Sequence, residues 1–231
     1  HEERDLKEVL ETVKKISQLS NLNITGIYSH FSSSESDEEF TKKQASLFNR
    51  LIDLLKLEKI NYGKIHLANS SAIVKQNIKT YDLARSGIAL YGYPPVKSEE
   101  KFLPVMSVYA KVIQITNLHP GDSVSYNRTF IAKEEMKIAT IAIGYADGYP
   151  RILSNNDFVY YKGIELPVIG RICMGLTMIN VTGVEISEGE EVEVFGENKL
   201  LEPMAKRALT ITYEILTNMA KPRVKKFYIK D

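Results

Sequence analysis

Between Leu6 and Leu19 the apolar positions Leu6, Val9, Leu10, Val13, Ile16 and Leu19 recur at intervals of three and four, which predicts an amphipathic helix. Ile24 to Phe31 then reads as a buried strand. It ends in Ser32-Ser33-Ser34-Glu35-Ser36-Asp37, a polar loop able to cap the next helix. That helix is predicted from about Glu38 to Leu57, with Phe40, Leu47, Phe48, Leu51, Leu54 and Leu55 on or near one face. Lys64 to Ala68 reads as a short strand, Asn69-Ser70-Ser71-Ala72 opens a short helix, and Ile88 to Tyr91 reads as another short apolar strand. Strand and helix thus alternate over residues 1–95, the pattern of βαβ units in a parallel sheet. Polar groups fall just after the strands, which in a (β/α)₈ barrel is the catalytic face. Three such strands cannot close a barrel of eight, so another stretch of polypeptide is expected to cover the open edges.

Tyr93-Pro94-Pro95 through Pro104 is a linker rich in proline and charge, and the pattern changes after it. From Val105 the chain is dominated by β-branched alternation: Val108 to Ile115, then Lys137 to Ile143. Phe158-Val159-Tyr160-Tyr161 and Ile164 to Val168 flank Lys162-Gly163, a hairpin signal. Glu190 to Phe195 is a further strand, helical pieces are predicted near Glu202–Leu209 and Thr212–Met219, and Arg223 to Ile229 reads as a last strand. The expected organisation is α/β over 1–95, a portion of a TIM-type barrel, followed by a mainly β domain over 96–231, a barrel or a sandwich.

Composition narrows the function classes. The net charge of +1 advertises neither nucleic acid nor a membrane surface, and no apolar run approaches the ~18–20 residues of a membrane span. The single cysteine, Cys173, rules out an intrachain disulfide and a Cys-rich zinc site, which suits a cytoplasmic setting. His1-Glu2-Glu3-Arg4 has no initiator Met and runs directly into the first helix pattern, which reads as an internal boundary.

Two tyrosines stand where apolar runs break into polar or Gly-rich turns: Tyr126 in Val124-Ser125-Tyr126-Asn127-Arg128 and Tyr145 in Ile143-Gly144-Tyr145-Ala146-Asp147-Gly148. Strand ends facing loops are where scaffolds display reactive groups, and Tyr126 is the candidate acid/base residue. Tyrosines at strand ends are nonetheless commonly structural. His30 and His66 both sit at predicted strand ends, but no third ligand accompanies them, so no metal is expected. Ser70 at a helix start and Gly87-Ile88 after Arg85 are plausible phosphate contacts, although capping and turn formation explain each equally well. Cys173 lies between Ile172 and Met174 without a His–Asp pair to activate it, and reads as a small buried hydrophobe.

Taken in order, His30-Phe31, His66-Leu67-Ala68-Asn69-Ser70-Ser71-Ala72, Arg85-Ser86-Gly87-Ile88-Ala89-Leu90-Tyr91-Gly92, Val124-Ser125-Tyr126, Ile143-Gly144-Tyr145-Ala146-Asp147-Gly148, Gly170-Arg171-Ile172-Cys173-Met174 and Tyr213-Glu214-Ile215-Leu216 resemble the alanine racemase family. Each motif alone is weak; the ordered set, spanning about Ile24 to Val224, is specific. The resemblance implies a pyridoxal 5'-phosphate (PLP) enzyme with a (β/α)₈ barrel and a C-terminal β domain, working on alanine as a homodimer with shared sites and supplying D-alanine for the cell wall. Tyr126 would be one of two opposed bases, acting in the partner subunit's site. His30, His66, Asn69, Ser70, Arg85, Gly87, Ile88 and Tyr213 would surround the cofactor, with Arg85 at the pyridine nitrogen, His66 supporting it, and Ser70, Gly87, Ile88 and Tyr213 at the phosphate. The Met174 backbone would hold the substrate carboxylate. Tyr145, Tyr213, Glu35, Arg151 and Arg171 would line a narrow mouth suited to a methyl side chain.

The chain departs from the family pattern in several places. Gly175-Leu176 replaces the usual Asp-Gln, Ser86 stands for a proline, Asn127 for a glycine, and Glu35 for the customary Asp. These leave substrate range open, and racemisation of serine or another small amino acid is the close variant. The resemblance also places the cofactor lysine and a carboxylate-gripping arginine ahead of His1, so these residues alone are not expected to racemise. A non-catalytic remnant or assembly module is the alternative of a different class. A PLP decarboxylase on the same barrel is disfavoured, because it would leave the Tyr126 segment without a role.

Overall fold

The structure is a computed structural model that describes residues 2–220 and 224–229, with side chains from Asp5 onward. The chain divides into two compact units, His1–Val105 and Met106–Asp231.

The first unit opens with α1 (Glu2–Ser17), whose Leu6 is buried and whose Leu10 and Val13 pack on the same core. A Lys14–Glu58 ion pair of 2.7 Å fastens its end to the end of the next helix. Then follow β1 (Gly26–Tyr28), α2 (Glu38–Leu57), β2 (Lys64–His66) and α3 (Ser70–Lys75). α2 starts where the polar loop predicts, because the Asp37 side chain accepts from the Phe40 N–H at 2.9 Å. Its buried stripe is Phe48, Leu51, Ile52 and Leu55, whereas Phe40 is exposed. β1 and β2 pair in parallel, Ile27 opposite Ile65, with α2 as the crossover. Both strands are shorter than the alternation predicts, three residues each.

Ile88–Tyr91 is not a strand but a 3₁₀ turn. Glycines close it on both sides, Gly92 in the left-handed region at φ 83°, and the Leu90 and Gly92 N–H groups bond back to Gly87 and Ala89. Only Ile88 of the four is buried, so the apolar run does not report a sheet position. The second parallel partner of β2 is instead a single bridge from His66 to Leu83.

The second unit contains β3 (Val108–Leu118), β4 (Ser123–Val124), β5 (Phe130–Ile131), β6 (Met136–Ile141), β7 (Phe158–Tyr161), β8 (Ile164–Ile169), β9 (Thr177–Asn180), β10 (Glu191–Phe195), α4 (Leu201–Arg207) and α5 (Thr212–Met219). Six strands close an antiparallel barrel in the order β10-β3-β6-β9-β8-β7, which removes exposed edges. Alternate side chains such as Val108, Ala110, Val112, Val159, Leu166 and Ile179 fill it. Lys162 and Gly163 both take positive φ (48° and 82°), as a two-residue hairpin turn between β7 and β8 requires. β9 has no counterpart in the sequence reading. Its inward Thr177 is polar and breaks the apolar alternation, and it is tolerated because its hydroxyl donates to the Ile143 carbonyl at 2.7 Å. The last predicted strand is absent over 224–229, and Arg223 lies outside the described residues. No helix among the described residues is long and apolar enough to cross a membrane.

Candidate active site

In the first unit three chain segments converge on Arg85. β1 ends just before Ser29 and His30, β2 ends on His66, and the Leu83 bridge brings the following residues alongside. Arg85 Nη1 lies 2.6 Å from His66 Nδ1 and donates to the His66 carbonyl at 3.2 Å. Nη2 donates to the Ser29 carbonyl at 2.6 Å and reaches His30 Nδ1 at 3.2 Å. A guanidinium has only donors, so both Nδ1 atoms accept and the ring proton of each neutral imidazole resides on Nε2. Tyr28 stacks on His66 at 5.1 Å and lies under the Arg85 guanidinium at 5.2 Å. The arginine is therefore fixed on two sides. Its Nε–H has no hydrogen-bond partner among the described residues.

Beside it, the buried Ser70 hydroxyl accepts from the Gly87 N–H at 2.9 Å and the Ala89 N–H at 3.4 Å, leaving its own proton to donate. A Cβ built on Gly87 would meet only Ser70 Oγ, at 3.8 Å, so the glycine opens a hollow over this hydroxyl. Ser71 Oγ, also buried, has no partner among the described residues. Ile88 turns its side chain into the core. Asn69 is occupied structurally: its Oδ1 caps α3 through the Ala72 N–H and accepts from Ser34. Glu35 is exposed, and the loop that carries it is tied to α3 by Lys75, which donates to the Ser34 and Glu35 carbonyls.

In the second unit the loop between β8 and β9 is central. It carries Arg171 and Met174, and it grips two tyrosine turns. The Tyr145 and Ala146 N–H groups donate to the Cys173 and Met174 carbonyls at 3.0 and 2.8 Å. Ser125, just before Tyr126, donates to the Arg171 carbonyl at 2.7 Å. Tyr126 itself is 69 % exposed in a 3₁₀ turn between β4 and β5, and Met174 and Tyr145 are exposed as well. Arg171 Nε is buried without a partner among the described residues. Arg151 stands on a separate exposed 3₁₀ turn, and Tyr213 in the first turn of α5. α5 borders a cleft of about 380 Å³ lined by Tyr145, Tyr149, Ile152, Thr210, Glu214 and Asn218.

Gly144 makes the contact between the loop and the Tyr145 turn possible. A Cβ there would lie 2.3 Å from the Cys173 carbonyl oxygen and 2.5 Å from that of Met174. Gly144→Ala is expected to push the two segments apart and destabilise the second unit by about 1–3 kcal/mol. Urea unfolding checks the loss, and faster amide exchange at Tyr145 and Ala146 locates it.

Several residues that hold the site carry no sequence signal of their own. Ser125 and Asn155 are single polar residues in turns. The buried Asp157–Lys199–Arg207 cluster beneath Tyr149 joins residues as much as 50 positions apart. Only the fold makes them neighbours.

A βαβ unit with a braced arginine after its strands, joined in one chain to an antiparallel barrel that presents tyrosines on turns, is a two-part scaffold of the barrel-plus-β-domain class. Residues 4–95 match the family model "Alanine racemase, N-terminal domain", and residues 105–228 match "Alanine racemase, C-terminal domain". The chain belongs to the alanine racemase family. It is 41 % identical over 229 residues to alanine racemase 2 of Caldanaerobacter subterraneus subsp. tengcongensis, covering 94 % of this chain and 58 % of that protein. With alanine racemase 1 of Clostridium acetobutylicum the identity is 39 % over 229 residues, covering 95 % and 59 %. Among solved structures, the alanine racemase of Clostridium difficile 630 superposes with a TM-score of 0.88 at 33 % identity, over 94 % of this chain and 58 % of that one. The Bartonella henselae enzyme with covalently bound pyridoxal phosphate gives 0.82 at 34 % identity, over 96 % and 62 %. The chain thus spans about three fifths of the length of these relatives.

Proposed function

We propose that this chain is the Tyr126-bearing part of a cytoplasmic, homodimeric, PLP-dependent enzyme that interconverts L- and D-alanine and supplies D-alanine for peptidoglycan. The observation that carries the reading is the fixation of Arg85 by His66, His30 and Ser29 with one N–H left over. An arginine held this way keeps its proton and offers a single directed donor to a pyridine nitrogen, which that nitrogen can accept only while unprotonated. The Ser70 hydroxyl, which keeps its own proton to donate, and the hollow over Gly87 suit a phosphate. PLP, when bound, supplies an electron sink that labilises the α-proton of an amino acid.

The chain's own residues then hold and move that proton. Tyr126 takes it from, or returns it to, the substrate Cα through its phenol oxygen, in the site of the partner subunit. The backbone of Met174 orients the substrate carboxylate. Tyr145, Arg151 and Arg171 narrow the approach, so a methyl side chain passes more readily than a large one. The opposed base is a lysine outside residues 1–231, so the chain alone does not racemise. Gly175-Leu176 favours a second reading, a wider tolerance for small amino acids such as serine, because the polar pair usual in the family is missing beside Met174.

Two measurements test the proposal. PLP added to the 231-residue chain, reduced with borohydride and weighed as intact protein, is expected to give no stoichiometric lysine adduct. Full-occupancy adduct formation would overturn the placement of the lysine. The coding sequence ahead of His1 is expected to encode an apolar strand ending in residues like Val-Lys-Ala-Asn-Ala-Tyr, and the protein it completes to racemise alanine faster than serine. No such lysine and no racemisation would make the chain a non-catalytic assembly module instead.

A further inference from the structure

Tyr126 sits on backbone that does not hold itself. Ser125 lies at φ 64°, ψ −172°, a region populated almost only by glycine, and Asn127 (φ 60°) and Arg128 (φ 49°) are left-handed as well. Strained conformations of this kind persist only where the surroundings over-determine them. The local ladder is too small for that, since β4 and β5 pair through only two residue couples, Ser123 with Ile131 and Val124 with Phe130. The phenol is mostly in solvent. The restraint has to come from elsewhere in the unit.

It comes from the loop that carries Arg171 and Met174, and it reaches both ends of the Tyr126 turn. At the first end, the Ser125 hydroxyl donates to the Arg171 carbonyl at 2.7 Å and lies 3.4 Å from Cys173 Sγ. At the last end, Asn155 bridges: its Nδ2 donates to Thr129 Oγ1 at 3.1 Å, while its Oδ1 accepts from the Gly170 N–H at 2.5 Å. Gly170 also packs close, because a Cβ there would lie 2.9 Å from the Val124 carbonyl and 3.0 Å from Ser125 Cβ. Asn155 is itself left-handed (φ 57°), a conformation asparagine tolerates better than most residues.

We infer that Ser125 and Asn155 are positioning residues that lock the Tyr126 turn to the Arg171–Met174 loop, so that the acid/base phenol and the backbone facing the substrate carboxylate move as one body. This rests on the role given above to Tyr126. Displacement of a reacting group by about 1 Å costs on the order of 10²-fold in rate, which is why an exposed tyrosine on a strained turn needs such a brace.

The test separates the hydroxyl from the backbone strain. Ser125→Ala removes the hydroxyl and keeps the strain; Ser125→Gly removes the hydroxyl and relieves it. Ser125→Gly is therefore expected to melt above Ser125→Ala. Both are expected to speed amide exchange about tenfold in 126–129 and 170–174 together, in the 231-residue chain. Asn155→Ala is expected to loosen the same two segments, and Asn155→Asp, which retains an acceptor for Gly170, to restore slow exchange at that amide. In the racemising protein, kcat falls about tenfold in both Ser125 variants despite their different stabilities.

Slow exchange in Ser125→Gly would overturn the inference by assigning the effect to strain. Loosening confined to 126–129 would overturn it by showing two independent segments. Unrestrained racemisation by Tyr126→Phe would sink the role of Tyr126 and leave the exchange results standing. Unchanged exchange in the Ser125 variants, with Tyr126→Phe inactive, would sink this inference alone.

Discussion

Asp157→Ala is expected to destabilise the second unit by about 3–5 kcal/mol, the range for breaking a buried ion pair on one side. The Asp157 side chain is fully buried, and four donors converge on it. Tyr149 Oη and Lys199 Nζ lie 2.7 Å from Oδ2, and Arg207 Nη2 and Nε lie 2.7 and 3.1 Å from Oδ1. Lys199 is 1 % exposed, and burial pushes its ammonium below the ordinary lysine value while pushing the Tyr149 phenol well above its own. Removing the carboxylate leaves a buried cation whose other contacts are the Phe158 carbonyl at 2.5 Å and the Phe158 ring at 5.0 Å. Removal of the buried ammonium as well, Asp157→Leu with Lys199→Met, is expected to recover only part of the loss, because it leaves the buried Tyr149 hydroxyl and Arg207 without their acceptor. Urea midpoints followed through the buried Tyr149 and Tyr161 signal measure both. A loss below about 1 kcal/mol for Asp157→Ala would mean the cluster is solvated in solution.

The cluster also serves the candidate site. Tyr149 directly follows the Tyr145 turn and precedes the Arg151 turn, so its anchored ring fixes both from below. Gly148, at φ 107°, lets the chain between them press against α5, where a Cβ would fall 2.2 Å from the Asn218 carbonyl. Stability and site geometry in this unit therefore share one set of contacts. A variant such as Asp157→Ala should disturb Tyr145 and Arg151 before the barrel itself opens.

Much of this arrangement was legible in the sequence, and the limits were physical. The Lys162-Gly163 turn between two short strand-like runs gave the β7–β8 hairpin, and periodicity found α1 and α2 because one face of each carries the apolar positions. It misassigned Ile88–Tyr91 because four apolar residues between glycines fit a strand and a 3₁₀ turn equally well. It passed over β9, where an inward threonine satisfied by a carbonyl interrupts the pattern. Among the site residues, His30 and His66 could be picked out as chemistry at strand ends and Arg85 only through the family resemblance, and the structure joins the three within hydrogen-bonding distance. Asn69 fits its capping role, with its carbonyl oxygen already engaged. Ser125 and Asn155 could not be found by pattern, because their partners, Arg171, Gly170 and Thr129, come close only once the barrel has closed.

Tyr126→Phe carries the other large expected effect, and its signature is more informative than its size. In a form of the protein that racemises alanine, removing the phenol is expected to lower kcat by about 10²–10⁴-fold, the usual worth of a positioned acid/base group. Phenylalanine keeps the ring and the exposed 3₁₀ turn, so folding is expected to be unchanged. The equilibrium constant between enantiomers is one, so kcat/KM must fall by the same factor in both directions. Proton exchange with solvent need not. If Tyr126 serves one face of the substrate Cα and a lysine the other, the variant should still exchange the α-proton of one enantiomer in D₂O, without inversion. The second enantiomer should stop exchanging. NMR of the alanine α-proton in separate L and D incubations distinguishes the cases. Equal loss of exchange from both enantiomers would point to a shared base or to a collapsed site. Undiminished racemisation would remove Tyr126 from the chemistry and leave its strained, braced turn in need of another explanation.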